Sequence, residues 1–167
     1  MTVATVHEDD LSANPLDVVE QFVLANDWTF ERHSSEEIAV EVPGRWCDYG
    51  LYFAWREDVG AMHVSCAVNL KATAEHRPAL LELLVQINEQ LLLGHFGLWS
   101  GEDLVVFRHA LLLHEAEAIG FDLVEELVDI ALYECERFYP SFHFVLVDGR
   151  DVEDALTAAL LETVGEA

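Results

Sequence analysis

The chain has 167 residues, 52% of them apolar, which suits one domain able to bury roughly 70% of its unfolded surface. Eight Lys plus Arg stand against 32 Asp plus Glu, a formal net charge of −24. A field of that sign repels phosphate backbones and anionic lipid heads, so nucleic acid and membrane are excluded as partners, whereas a basic protein segment is attracted.

No run reaches the roughly 18 apolar residues of a membrane span. The opening MTVATVHEDDLSAN lacks the basic and apolar regions of a signal peptide. Cys47, Cys66 and Cys135 form no CxxC pair, as befits a reducing compartment. The expectation is a cytoplasmic protein with a disordered acidic segment at residues 1–13 and a single domain over residues 14–167.

Asn14 followed by Pro15 reads as a helix cap with proline at the first helical position. Leu16, Val19, Phe22 and Val23 give that helix its apolar stripe, ending near Asn26. The period then changes to two. WTFERH and EEIAVEV flank a Ser34-Ser35 turn, YGLYFAWRE places Leu51, Phe53 and Trp55 on one face, and AMHVSCAVNL places Met62, Val64, Cys66, Val68 and Leu70 on one face. Four antiparallel strands in a meander are expected.

Pro78 opens a second helix with Leu80, Leu84, Ile87 and Leu91 as its stripe, widened by Leu83 and Leu92. Gly94 stands where a C′ glycine should close it. A hairpin follows: HFGLW, a turn at Ser100 to Asp103, and LVVFRHALLL. The second hairpin strand is apolar on both faces and calls for cover on both sides. In FDLVEELVDIALYECERFYPSFHFVLV the apolar residues keep helical phase across Pro140, so one long proline-kinked helix is expected, with a strand at residues 141–147 as the competing reading. Asp151 caps a final helix whose narrow apolar face is Ala155, Leu156, Ala159, Leu160 and Val164.

Chemistry-bearing patterns are weak. His63 and Cys66 point to opposite faces of a strand, as His109 and His114 would. His95 and His109 could meet across the hairpin, an arrangement more often found at a surface than at a metal. There is no nucleophile elbow and no glycine-rich phosphate loop. The acids Glu115, Glu117, Asp122, Glu125, Glu126, Asp129, Glu134 and Glu136 crowd one region with Arg137; they solubilise, or they receive a basic peptide. No catalytic residue, cofactor or metal is assigned. An open sheet also leaves edges able to accept a partner strand.

INEQLLLGHFGLWSGEDLVVFRHALLL, the acidic helix with FYPSFHFVL, and EDALTAALLETVGEA resemble the YbjN family, small bacterial proteins described as sensory transduction regulators. The residues that carry the likeness are Asn88, Gly94, His95, Phe96, Phe107, Arg108, Tyr139 and Pro140, expected to be structural. The resemblance implies an α+β fold similar to type III secretion chaperones, with an antiparallel sheet of about six strands (the meander plus the hairpin). Against it would pack an N-terminal helix, a middle helix, the long kinked helix and a C-terminal helix. Those chaperones are acidic dimers that hold a partner's extended segment. The expected function is therefore a non-enzymatic protein-binding regulator or chaperone-like adaptor, a homodimer whose partner carries a basic segment. The alternative is a small-ligand sensor with a pocket between the sheet and the kinked helix, Arg108 reaching in.

Overall fold

A computed structural model describes residues 14–113 and 119–164. Residues 1–13, His114, Glu115 and Glu117, on which expectations fell, lie outside that range. The elements follow the order α1 (Pro15–Ala25), β1 (Thr29–Arg32), β2 (Glu37–Pro43), β3 (Asp48–Arg56), β4 (Ala61–Lys71), α2 (Arg77–Asn88), β5 (His95–Trp99), β6 (Leu104–Leu112), α3 (Phe121–Leu146) and α4 (Val152–Val164).

Local chemistry sets these boundaries. Leu16 N–H donates to Asn14 Oδ1 at 2.9 Å, so the cap forms as the Asn-Pro pair predicts. Asp154 N–H donates to Asp151 Oδ1 at 2.9 Å and starts α4 in the same way. α3 runs unbroken through Pro140 to Leu146, so residues 141–146 are helix. Their β-prone side chains are overridden by the continuous apolar stripe they extend.

All six strands pair antiparallel in the order β1-β2-β3-β4-β6-β5. The meander and the hairpin are thus one α+β sheet, joined where β4 meets β6. The helices gather on one face. There the alternating residues Val40, Leu51, Phe53, Val64, Cys66 and Phe107 are buried against Leu16 and Val19 of α1, Ile87 of α2, and Val128, Cys135 and Phe142 of α3. Each such side chain contributes about 1.5–3 kcal/mol by leaving water.

Two expectations need correction. α2 ends at Asn88, six residues before Gly94, and Leu92 is 95% exposed in the connection to β5. Gly94 does adopt a left-handed φ of 69°, but at the start of the hairpin and not at the helix end. The other concerns β6, which is covered on both faces only over its first half. Val105, Val106 and Phe107 are buried, whereas Arg108, Ala110 and Leu112 are exposed on the face away from the helices.

Candidate functional site

Six of the eight residues singled out by the sequence meet at one joint, where α2, β5, β6 and α3 come together. Asn88, the last residue of α2, clamps the edge strand: Phe96 N–H donates to Asn88 Oδ1 at 2.7 Å, and Asn88 Nδ2 donates to Phe96 O at 3.0 Å. Phe96 is an outward-facing backbone position of β5, and the carboxamide satisfies it as a neighbouring strand would. The Phe96 ring, 2% exposed, lies 5.3 Å from that of Phe107, 6.0 Å from Phe138 and 5.1 Å from Phe142. A Cβ on Gly94 would stand 2.3 Å from Phe107 Cζ and 2.8 Å from Arg108 O, so both the φ and the space require glycine. His95 pairs in register with Arg108, not His109. The two histidines alternate onto opposite faces and form no pair.

Tyr139 and Pro140 belong to a second junction. Proline has no N–H, which leaves the carbonyl four residues back without its helical donor. That carbonyl, of Glu136, accepts from Trp46 Nε1 at 3.2 Å. The Trp46 ring stacks on Tyr139 at 5.9 Å with an interplanar angle of 2°, and Arg45 N–H donates to Glu136 Oε1 at 2.8 Å. The loop between β2 and β3 thereby supplies what Pro140 withholds. Sequence reasoning did not single out Trp46; an interior helical proline is the signal that such a donor is needed, but not of where it comes from.

Cys66 and Cys135 are buried together, Cys135 Sγ 3.8 Å from Cys66 O. Burial pushes the thiols of Cys135 and Cys47 up, which disfavours the thiolate and hence nucleophilic chemistry. Among the described residues no group of three His, Cys, Asp or Glu could hold a metal.

The face of the sheet turned away from the helices carries the remaining polar groups. Along one cross-strand row lie Ala39, Tyr52, Ser65, Arg108 and His95. Tyr52 and Trp99 come from strands with β4 and β6 between them, yet their rings are 4.9 Å apart. They therefore meet above β4 and β6, which accounts for the burial there of Ser65, Ala67 and Val106. Gly50 leaves room for Tyr52, whose ring would lie 3.1 Å from a Cβ at that position. Arg108 is exposed on this face, and burial together with Arg108 lowers the pKa of His63 one row along. Strand alternation thus turns Arg108 away from the sheet–α3 interface, where the alternative small-ligand reading has it reaching in.

A shallow dent with room for about 10 Å³, open to solvent, lies among Gln90, Arg137, Phe138, Leu156, Ala159 and Leu160. It is bounded by the end of α2, by α3 and by α4.

A family model described as "Putative bacterial sensory transduction regulator", YbjN, matches residues 15–144. The chain belongs to the YbjN family. The match runs from the first residue of α1 into the last turn of α3 and takes in both junctions. A crystal structure of YbjN from E. coli, described as "a putative transcription regulator", is similar at 14% identity. The likeness covers 72% of this chain and 90% of that one, with a TM-score of 0.44. No curated protein matches. No described helix is long and apolar enough to cross a membrane.

Proposed function

We propose that this YbjN-family chain is a non-enzymatic regulator that works in the cytoplasm by binding protein, as a homodimer and chaperone-like adaptor. One observation carries the reading: a whole face of a six-stranded sheet is uncovered by any described element, with Tyr52 38% and Leu112 69% exposed on it. Apolar side chains on an open sheet face are the usual mark of a protein partner. The exposed acids of α3 offer a second surface, suited to a partner's basic segment. Residues 14–167 act in this reading as one unit, and the eight family residues serve its architecture, not its chemistry.

The space between the sheet and α3, where a sensor's ligand would sit, is filled by Cys66, Phe107, Cys135, Phe138 and Phe142, all buried. Capture of the tagged protein from its native cytoplasm, at low and at high salt, tests the reading. A stoichiometric basic companion lost at high salt supports the adaptor; a chain that retains only a small molecule refutes it.

A further inference from the structure

The two sides of the molecule differ in charge. The helix side presents Asp122, Glu125, Glu126 and Asp129, all exposed along α3. In a chain of net charge −24, two copies approaching through that side repel each other. On the open sheet face the charges are of both signs and sorted. Glu31 stands on β1, Glu37 and Glu41 on β2, Asp48 on β3, Lys71 on β4 and Arg108 on β6, while Arg56 on β3 is already paired with Asp58 at 2.9 Å. Between the acidic and the basic halves lies an apolar middle that includes Tyr52, Ala54 and Trp99.

We propose that this face packs on the same face of a second copy about a two-fold axis that runs along the strands between β3 and β4. Each β6 then lies over the other copy's β2. The proposal deepens the homodimer reading and rests on it. A two-fold interface must be self-complementary, and the choice of axis decides whether this one is. Rotation about an axis parallel to the strands exchanges the two sides of the sheet and keeps each residue's position along its strand.

In the order β1-β2-β3-β4-β6-β5, the strands β2 and β6 are equally distant from the β3–β4 seam. Arg108 therefore arrives over Ala39, its partner in the same cross-strand row, with Glu37 and Glu41 on either side. Lys71 comes toward the Asp48 end of β3. An axis across the strands would instead set β2 on β2 and β6 on β6, acid on acid and base on base. Facing sheets pack with their strands within about 30° of each other, which the proposed axis allows.

The area is sufficient. Six strands about 4.8 Å apart, over about seven residues of about 3.3 Å, give roughly 600 Å² of flat surface per copy. Two such faces bury on the order of 1,200 Å² or more, where stable interfaces begin.

The test measures the mass of the full chain by light scattering and sedimentation. It compares wild type, Arg108→Glu, the pair Glu37→Lys with Glu41→Lys, and all three together. These side chains are exposed, and circular dichroism checks that each variant folds. The expected result is a wild-type dimer, at least about tenfold weaker self-association in the first two variants, and recovery to within a few fold when the charges are exchanged together. Variants as dimeric as wild type, or a triple variant without recovery, overturn this interface while the homodimer stands. A wild type that is monomeric at every concentration overturns both and leaves the face to a different protein.

Discussion

Replacing Asn88 with alanine removes two hydrogen bonds at once, of 2.7 and 3.0 Å, and leaves the N–H and C=O of Phe96 unpaired in a partly buried site. An orphaned buried backbone group costs about 1–3 kcal/mol. The end of α2 gains a few tenths from the better helix propensity of alanine. Two such groups would cost about 2–6 kcal/mol if fully buried; in this partly buried site the net loss is about 2–4 kcal/mol. With a urea dependence near 2 kcal/mol per molar for a chain of this size, the unfolding midpoint should fall by about 1–2 M.

Asn88→Asp keeps the acceptor for the Phe96 N–H but sets a carboxylate against the Phe96 carbonyl, so it should lose at least half as much. Hydrogen exchange at the Phe96 amide should quicken in Asn88→Ala and much less in Asn88→Asp. A midpoint shift below about 0.3 M, with Phe96 exchange unchanged, would refute the clamp; it would mean that other groups already satisfy that backbone.

Val106→Asp puts a carboxylate at a position 1% exposed, under the Tyr52–Trp99 pair. Burying an unpaired charge exceeds about 4 kcal/mol, so soluble folded protein should be lost, and a well-folded variant would contradict the strand and its cover. Gly94→Ala pays for a φ of 69° and a close approach to Arg108 O. A loss of about 2–4 kcal/mol should lower the melting temperature by about 5–15 °C, whereas Gly97→Ala, with nothing within 4 Å of its Cβ, should change it little.

His63 has a pKa below its ordinary value because of burial first and Arg108 next, with Arg56 adding and Glu37 opposing. Its unfolded form therefore binds a proton that the native form resists. The stability it contributes is complete above the unfolded pKa of about 6.5 and is lost as pH falls from there toward the folded pKa. Urea midpoints at pH 7.5 and 5.5 should fall further apart for wild type than for His63→Gln; equal gaps would refute this.

The sequence made the fold legible wherever one residue's neighbours along the chain decide its state. The α1 and α4 caps need only Asn14 and Asp151, the strands need only their alternation, and α3 needs only the phase of its apolar stripe across Pro140. What escaped reading depends on contacts far along the chain. α2 stops at Asn88 because its side chain turns to Phe96, eight residues on, although LLL continues the apolar pattern toward Gly94. The apolar pattern of β6 continues to Leu112, but the strand outruns its cover. The open face could not be seen at all, because alternation assigns two faces to every strand and does not say that all four helices choose the same one.

Surface loops between antiparallel strands are ordinarily the places where a protein tolerates lengthening, grafting or a fused tag. The loop joining β2 to β3 is not such a place, since its Trp46 indole caps a helix carbonyl ninety residues away. A peptide inserted between Gly44 and Cys47 would draw Trp46 off the Glu136 carbonyl and loosen α3 at Pro140, the one turn that cannot hold itself. The turn of β5 and β6 around Gly101, where a Cβ would meet nothing within 4 Å, is the better place to attach a label.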